Sequence, residues 1–378
     1  MGEITIKIVE NEIDKMRFIK FPWEIYKGDN NWVPPLIYDV RKNLDKIRNP
    51  FYKHAKSCLF LALDGKTIVG RIAAIINDHH NQKYKDKTGF IGYFESINSK
   101  EVSRLLFDTA KDWLIENGKD NIRGPINLSI NDEVGLLVDG FNKPPVLLMT
   151  YNPKYYVELF ENYGFIKAKD FYAYLFTQED ARKNPKSMEK LERVGQLVLK
   201  RENIKIRKIV LKDLQNELLK VMKIYNEAWI DNWGSVQMTE DEFKYVAASL
   251  KPLVDEDIVY FAEVDGEAVG FSLSLPDFNQ VFKKINGRLF PFGVFKILTG
   301  KKKIDFIRVM IMGVIPKYQK KGIEAVFIND TIKTSMNKGY EGAEISWVLE
   351  DNIPMVQTAV NLGAKIYKTY RVYDKKIS

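Results

Sequence analysis

Hydrophobic residues form two separate β-hairpin patterns along the chain. The stretch from Cys58 to Ile76 and the stretch from Ile258 to Leu275 each contain a β-rich run, an Asp-Gly pair and a second β-rich run. An Asp-Gly pair between two such runs is one of the strongest short-range signals of a hairpin. The same supersecondary unit is therefore predicted once in each half of the chain.

A second pair of similar segments follows the hairpins in the same order. Residues 151–176 and 351–373 each begin with an Asn and a nearby Pro, continue as an amphipathic helical pattern, reach a Gly that can end a helix, and finish as an aromatic strand. The Asp of the hairpin turn precedes this Asn by 88 positions in the first half and by 87 in the second. Two different units that repeat in one order at nearly equal distance predict a duplicated domain.

The elements between each hairpin and each helix-strand unit complete the predicted architecture. Their order is strand, helix, strand, at residues 89–97, 101–118 and 121–129 in the first half and at 303–315, 324–339 and 342–350 in the second. Helices that alternate with strands predict an α/β fold, with a mixed central β-sheet flanked by helices in each half. A charged helical pattern joins the halves, so the predicted division is an N-terminal domain at 1–177, a linker helix at 178–202 and a C-terminal domain at 203–378.

Length and composition fit this division. The chain has 378 residues, of which 45% are hydrophobic, and it is too long for one ordinary core. Its formal net charge of +8 is spread along the chain, so it favours an anionic partner only weakly. Acidic lipid, a phosphorylated cofactor and nucleic acid all fit such a surface. Nucleic acid ranks last because the charge is diffuse and no nucleic-acid-binding module is recognisable.

Cysteine content and hydropathy indicate the expected compartment. Cys58 is the only cysteine, so the chain has no disulfide framework and no thiolate zinc site, and a reducing compartment is expected. His79 and His80 have no further ligand nearby in the sequence, so no metal is expected. No apolar run approaches the roughly 20 residues that a membrane span needs. We therefore expect a cytoplasmic protein without a membrane span.

A lysine-rich turn around Gly322 carries the clearest chemical signal. It joins a predicted strand to a predicted helix. Glycine lets the backbone approach an anion closely, and the first turn of a helix leaves N–H donors unpaired. Lys320 and Lys321 make the local potential more positive. The turn therefore predicts a phosphate-binding site, and the alternative is a solvated basic turn with Glu324 at the helix start.

This turn and the order of elements resemble the GNAT superfamily of acyl-CoA-dependent N-acyltransferases, once per half and over nearly the whole chain. In that superfamily a Gln/Arg-x-x-Gly-x-Gly/Ala turn after the fourth strand holds the pyrophosphate of the cofactor through backbone N–H groups. The residues here are Gln319, Lys320, Lys321, Gly322, Ile323 and Glu324, followed by Ala325. Glu324 departs from the pattern because it brings a carboxylate close to the diphosphate. The resemblance implies two tandem GNAT-like domains and acetyl-CoA or another acyl-CoA as co-substrate.

The resemblance also implies which residues surround the acyl-CoA. Asn352 opens a strand-to-helix turn similar to a late Asn-containing motif of the superfamily, which lies along the pantetheine arm. An Asn at this place is equally an ordinary helix N-cap. The strand before the glycine turn would supply a backbone N–H to the oxyanion. The implied cofactor-binding residues are Met312, Gly313, Val314, Gln319, Lys320, Lys321, Gly322, Ile323, Glu324, Ala325 and Asn352.

The first half departs further from the superfamily. Only Asn98, Ser99 and Lys100 lie between its fourth strand and the following helix, so it has no glycine turn for a pyrophosphate. Many members carry a Tyr four residues before the Gly that ends the late helix, as the acid for the thiolate. Phe160 and Ala359 occupy that position here. We therefore expect a degenerate N-terminal domain with a structural or substrate-binding role.

Candidate catalytic residues follow from the chemistry of acyl transfer to an amine. The reaction needs a base for the ammonium proton, donors for the oxyanion and an acid for the thiolate. The C-terminal half contains no histidine, so its base must be a carboxylate, a tyrosine or a relayed water. Glu350 is the first candidate and Glu344 the second, although either can be a solvated surface carboxylate. Tyr367, Tyr370 and Tyr373 on the last strand are candidate substitutes for the missing acid, with packing in the core or on the sheet face as the alternative, and Tyr370 is the catalytic candidate among them.

Two segments are candidates for acceptor binding. Trp229, Asn232 and Trp233 precede a predicted helix and either form the wall of an acceptor pocket or pack against the core. Asn131 lies in a segment rich in Asn, Asp and Gly that either lines a substrate cleft or forms a capped turn. A basic and aromatic insertion at 282–303 has three open roles: to cover the acyl site, to contact a membrane surface or to bind an anionic acceptor.

Together these features predict an N-acyltransferase that moves an acyl group from CoA to a small-molecule or peptide amine. The alternative from another functional class is a non-catalytic CoA-binding protein. In that case the absence of the tyrosine and the presence of Glu324 reflect a loss of catalytic activity. The acceptor, the acyl length and the oligomeric state leave no mark in the sequence.

Overall fold

The computed structural model describes residues 2–201 and 203–377. The elements of its first part are β1 (Ile4–Ile8), α1 (Glu12–Lys20), α2 (Pro22–Ile25), α3 (Ile37–Asn43), β2 (Ala55–Asp64), β3 (Thr67–Asn77), α4 (Asp78–Tyr84), β4 (Thr88–Ser96), α5 (Lys100–Glu116), β5 (Asn121–Gly124), β6 (Ile126–Asn127), β7 (Glu133–Val134), β8 (Leu136–Asp139) and α6 (Tyr155–Asn162).

The remaining elements follow in chain order. They are β9 (Ile166–Thr177), α7 (Gln178–Lys183), α8 (Pro185–Arg201), β10 (Ile204–Lys208), α9 (Leu214–Ala228), α10 (Glu240–Leu250), β11 (Val259–Val264), β12 (Glu267–Pro276), α11 (Asn279–Ile285), α12 (Gly293–Gly300), β13 (Phe306–Val314), α13 (Ile323–Asn337), β14 (Gly342–Leu349), α14 (Ile353–Asn361) and β15 (Lys365–Lys376). Within the described residues, no helix combines the length and the apolar character that a membrane crossing requires.

The chain forms two compact units that are discontinuous in sequence. Unit 1 comprises residues 2–171, 281–298 and 368–377, and unit 2 comprises residues 172–201, 203–280 and 299–367. Strands β9 and β15 therefore each contribute residues to both units. The domain boundaries read from the sequence, 1–177, 178–202 and 203–378, divide the chain into contiguous segments instead, and that division stays a prediction.

The sheet of unit 1 has the strand order β1-β2-β3-β4-β5-β15. Neighbouring strands in this sheet are antiparallel, except that β4 and β5 pair in parallel from Thr88 opposite Asn121 to Phe90 opposite Arg123. Helix α5 covers the sheet because its apolar residues recur at helical spacing. Phe107 of this helix stacks on Phe94 of β4 in the core.

The sheet of unit 2 has the strand order β9-β14-β13-β12-β11-β10. From β14 to β10 the neighbouring strands are antiparallel, except that β13 and β14 pair in parallel as β4 and β5 do in unit 1. A buried apolar cluster around Tyr174, Val348 and Ala359 packs α14 against this unit. The predicted fold class, α/β with a mixed sheet flanked by helices in each half, is confirmed.

Both predicted hairpins are present, as β2-β3 and β11-β12. The first turn begins with Gly65 at φ +58°, whereas the second uses Asp265 and Gly266 at φ +51° and +83°. One positive φ at the first turn position is typical of a type II′ turn, and two are typical of type I′. The pairing register shifts after Ala62 in one hairpin and after Ala262 in the other. The two copies thus share a bulge but differ in turn type.

The helix-strand units predicted from the sequence are α6-β9 and α14-β15. The expected strand at 121–129 is interrupted, because β5 ends at Gly124 and Pro125 separates it from β6. Proline has no N–H to donate to a strand ladder, which explains the break. The expected linker helix is two helices, α7 and α8, and both lie in unit 2.

Candidate functional site

The two parallel strands at the edge of unit 2 separate before they end. Their pairing runs from Phe306 opposite Gly342 to Val309 opposite Ile345. β13 then continues to Val314, and β14 continues to Leu349. Beyond Val309, β13 is paired with β12 on one side and has no registered β14 partner on the other. The result is an opening between the strands, beyond which β13 and β14 do not pair with each other.

The turn after β13 leads directly into α13. Gln319 holds its start, because the side-chain amide nitrogen donates to the Val314 carbonyl oxygen at 3.0 Å. Lys320 and Gly322 adopt φ +62° and +88°, the left-handed region that glycine accepts without strain. In the part of the chain that the structure describes, no protein group accepts a hydrogen bond from the backbone N–H of Lys320, Gly322 or Ile323. These amides lie at a helix N-terminus, where an anion is favoured.

Helix α8 covers the glycine of this turn. A Cβ atom on Gly322 would lie only 2.7 Å from Cγ2 of Val198, and the positive φ would strain any other residue. Both observations require glycine here. Glu324 is half-buried at the start of α13, and burial raises the pKa of its carboxyl group. Protonation would reduce the repulsion between this carboxyl group and a bound phosphate.

The lysines of the turn are exposed, and Lys321 Nζ lies 5.1 Å from the centre of the Tyr318 ring. The amide of Ala325 is not free, since it donates to the Gly322 carbonyl oxygen at 3.0 Å. Asn352 is the N-cap of α14 and accepts a hydrogen bond from the Met355 amide at 3.3 Å. Its ordinary capping role is therefore present, and its contact with a pantetheine arm stays a prediction.

A buried polar cluster lies on β13, β14 and β15 of unit 2. Glu344 is fully buried, and its carboxylate accepts hydrogen bonds from Ser346 Oγ at 2.5 Å and from the Tyr367 hydroxyl. Arg308, opposite Glu344 in the parallel pairing, donates from Nε to Ser346 Oγ at 3.1 Å and lies over the Trp347 ring. Glu344 is therefore held in place by two hydroxyl donors from β14 and β15.

An apolar cavity of about 60 Å³ lies beside the same strands. Val309 and Met312 of β13, Ala343 and Ile345 of β14, and residues of α13 and α14 line it. Because side chains alternate along a strand, Arg308 and Glu344 point to the opposite face of the sheet. The strands therefore present an apolar face towards α13 and α14 and a polar cluster on the other face.

Trp229 covers the end of β13. A Cβ atom on Gly313 would lie 2.2 Å from Cη2 of this ring, so only glycine allows the contact. Asn232 follows in the same turn, where its amide donates to the Trp229 carbonyl oxygen at 3.0 Å, and Trp233 is half-buried. Of the two sequence alternatives, packing of Trp229 on the sheet is observed, and acceptor binding by these three residues stays a prediction.

The three remaining candidates are Glu350, Tyr370 and Asn131. Glu350 lies in the turn after β14 and is half-buried. Tyr370 belongs to unit 1, where it is fully buried and pairs with Leu137 of β8. Asn131 also belongs to unit 1, and its amide donates to Ser129 Oγ at 3.1 Å. Within the described residues, no group of three or more His, Cys, Asp and Glu side chains is arranged to hold a metal ion.

Sequence reasoning missed two members of the polar cluster, Arg308 and Ser346. Arg308 carried a usable signal, because it is the single charged residue in the apolar run Phe306–Val314. A charged residue inside a buried strand needs a partner, so it should have suggested an acidic neighbour on the adjacent strand. Ser346 carried no such signal.

Two known proteins are similar to this chain in sequence over nearly its full length. The protein named bacterial ceramide synthase of Caulobacter vibrioides is 36% identical over 386 residues, which cover 100% of this chain and 98% of that protein. Protein YghO of Escherichia coli is 34% identical over 373 residues, which cover 97% of this chain and 94% of that protein. No protein-family model matches the chain.

Solved structures show which fold this chain resembles. The tandem GNAT protein from the clavulanic acid biosynthesis pathway superposes with a TM-score of 0.59 at 10% identity, over 100% of this chain and 99% of that one. At this identity the likeness concerns the fold alone. The chain has the tandem GNAT fold and belongs to the family that includes the bacterial ceramide synthase of Caulobacter vibrioides and protein YghO of Escherichia coli.

Proposed function

We propose that this protein is an acyl-CoA-dependent N-acyltransferase whose acceptor is the primary amine of a long-chain amino alcohol. The observation that carries the proposal is the opening between β13 and β14, which ends at a glycine turn with unbonded amides at Lys320, Gly322 and Ile323. The acceptor class is inferred from the name of the Caulobacter relative, since a ceramide is an N-acylated long-chain amino alcohol.

The turn at the start of α13 would hold the diphosphate of acyl-CoA. Its free amides and the α13 dipole attract the anion, and the exposed Lys320 and Lys321 add positive potential. The strand opening would take the pantetheine arm, with Asn352 at the start of α14 as the proposed contact on the β14 side. The backbone of Met312–Val314 would offer an N–H to the thioester oxygen as negative charge develops there.

Glu344 is the proposed general base. In the reaction the amine nitrogen loses a proton and bonds to the thioester carbon, the C–S bond breaks, and the thiolate takes up a proton. Glu344 would accept the ammonium proton directly or through a water, and the Tyr367 hydroxyl and Ser346 would hold its carboxylate in place. Glu350 remains the second candidate, and Tyr370 remains a prediction within unit 1.

A non-catalytic CoA-binding protein is the second candidate function. Ala359 favours it, because this residue is fully buried in α14 at the position where the resemblance implies a tyrosine acid. Tyr367 offers a hydroxyl in the same unit, but it donates to Glu344. The two functions differ in one measurable respect, which is the release of free thiol.

Thiol release from acyl-CoA tests the proposal. Purified protein is incubated with acyl-CoAs of increasing chain length and with sphinganine, spermidine or a lysine peptide as acceptor. We expect turnover with sphinganine and a loss of about 100-fold or more in the rate for Glu344→Gln. Glu341→Gln is the matched control, because Glu341 directly precedes the same strand and is exposed.

Binding and chemistry are measured separately. Glu344→Gln should keep the thermal stabilisation by acyl-CoA, which shows that the variant is folded and binds. A Glu344→Gln enzyme with the full rate would contradict the role of Glu344. Stabilisation by acyl-CoA without thiol release for any acceptor would favour the non-catalytic function.

A further inference from the structure

Unit 1 contains an exposed apolar segment. We call residues 288–298 the insertion tip. Four of its large apolar side chains are strongly exposed: Phe290 is 78% exposed, Phe292 71%, Phe295 68% and Leu298 68%. Contiguous exposed apolar groups of this size are uncommon on folded proteins and indicate an interaction site.

The insertion tip is supported by an anchored base. Val281, Phe282 and Ile285 of the preceding helix α11 are buried. The Gly287 carbonyl oxygen accepts a hydrogen bond from the Ile37 amide at 3.1 Å. The neighbouring Asn286 Oδ1 accepts one from Trp23 Nε1 at 2.7 Å. A base held in this way displays the tip, so its exposure follows from the packing of the chain.

The tip is compact. Gly293 is buried, and a Cβ atom on it would lie 2.2 Å from the Arg288 carbonyl oxygen, so the chain turns tightly at this point. Helix α12 begins at Gly293. Leu298 lies four positions after Val294 and three after Phe295, so the three side chains fall on one face of the helix. The tip therefore presents several apolar side chains together.

The segment of unit 1 that carries the tip has charge of one sign. From Val281 to Leu298 the sequence contains no Asp or Glu and four basic residues: Lys283, Lys284, Arg288 and Lys296. Those four residues are exposed. A bilayer surface rich in anionic phospholipid matches both properties, because its headgroups attract the cations and its acyl boundary takes up the apolar side chains.

We propose that the insertion tip docks this protein onto the surface of an anionic phospholipid bilayer. Phe290, Phe292, Phe295 and Leu298 enter the boundary between headgroups and acyl chains, and the basic residues contact lipid phosphates. Nucleic acid matches the charge but cannot bury the aliphatic Val294 and Leu298. A second copy of this chain would bring two strongly basic segments together. The docking does not depend on the proposed acyl transfer.

Vesicle co-sedimentation tests the docking. The full-length protein is mixed with phosphatidylcholine vesicles that contain or lack phosphatidylglycerol, without acyl-CoA. We expect binding to the anionic vesicles that weakens with added salt, and a loss of about tenfold or more for the double variant Phe292→Asp/Phe295→Asp. Ile47→Asp is the matched control, because Ile47 is 96% exposed in the same unit and lies outside the tip. Its binding should equal that of the unchanged protein.

A second experiment measures directly whether the tip inserts into the bilayer. In a Cys58→Ser background, an environment-sensitive dye on Phe292→Cys should brighten with anionic vesicles, and the same dye on Ile47→Cys should not. Gly322→Glu should bind vesicles normally, which separates docking from the acyl-CoA site. Equal sedimentation of the double variant and the unchanged protein would overturn the proposal. It would also fail if the double variant lost only self-association, or if RNA were retained and vesicles were not.

Discussion

Each unit joins a parallel-paired strand to the next helix, and the two connections use their backbone amides differently. In unit 1, β4 reaches α5 through residues 97–99, and Ser99 Oγ accepts a hydrogen bond from the Val102 amide as a side-chain cap. In unit 2 the connection is longer and ends at Gly322, which has no side-chain cap. A capped helix start is satisfied by the fold itself, whereas an uncapped one can accept an anion.

The strands before these connections also differ in what covers them. In unit 1 the Ile126 carbonyl oxygen lies 2.2 Å from where a Cβ of Gly92 would be, and Asn127 Oδ1 accepts a hydrogen bond from the Tyr93 amide at 2.6 Å. The chain's own backbone therefore closes this edge. In unit 2 the glycine near the end of β13, Gly313, is covered by a side chain, Trp229. In unit 1 the chain itself pairs the backbone groups at this place, whereas in unit 2 the described residues offer no acceptor to the amides of Lys320, Gly322 and Ile323.

The largest expected effect comes from placing a side chain at the uncapped turn. Gly322→Glu should weaken acyl-CoA binding about 100-fold or more, because the new side chain meets Val198, strains the backbone and adds a negative charge beside the amides. Isothermal titration with acyl-CoA measures the loss. Gly339→Glu is the matched control, since Gly339 has φ +82° and open space around its Cβ position. Equal loss in both variants would contradict a diphosphate site at Gly322.

The next largest effect distinguishes Gly92, which is covered by backbone atoms, from Gly313, which is covered by a side chain. Gly92→Ala should lower the free energy of unfolding by about 3 kcal/mol, because the Ile126 backbone cannot move aside without breaking its strand. Gly313→Ala should cost about 1 kcal/mol, because the Trp229 ring can rotate away. Urea unfolding of both variants measures the difference. The reverse order of the two costs would show that the edge in unit 1 is the more adaptable one.

The smallest effect concerns ion pairs that join the first strand and first helix of each copy. In unit 2, burial raises the pKa of Glu217, but hydrogen bonds from Arg207 at 2.7 and 2.9 Å outweigh it, and the net shift is downward from 4.5. A lowered pKa contributes stability above the unfolded value of 4.5 that is lost as pH falls through the folded value. Glu217→Gln should cost about 2 kcal/mol near neutral pH and less in acid.

In unit 1, a hydrogen bond from Lys7 is the main cause that lowers the pKa of Asp14. Lys7 is a single point charge and is 47% exposed, so Asp14→Asn should destabilise the protein less than Glu217→Gln does. Thermal unfolding of both variants across the acid range checks the order. A Glu217→Gln deficit that stays constant into strong acid would show that lost packing, and not charge, sets the cost.

Local residue chemistry made much of this fold predictable. The Asp-Gly hairpins, the two helix-strand units and the strand-turn-helix around Gly322 were all readable, because each depends on the conformational preferences of a few neighbouring residues. The lack of a glycine turn after β4 was equally readable. The resemblance to GNAT proteins followed from the order of these local elements, and the fold confirms it.

The candidate site was only partly predictable. Glu344 was named from its place on a strand, but its buried contacts with Ser346 and Tyr367 depend on how β14 and β15 come together. Tyr370, three residues beyond Tyr367, lies in the other unit, and no local pattern marks that change.

What the sequence determined by itself was the order and type of most elements and the glycine turn at Gly322, since backbone sterics act over a few residues. Only the tertiary structure decided that β13 and β14 separate after Val309, that certain amides near Gly322 have no protein acceptor, and that the insertion tip is exposed on an anchored base. Those features depend on contacts between residues far apart in the chain, where many pairings satisfy the same local preferences and packing selects one.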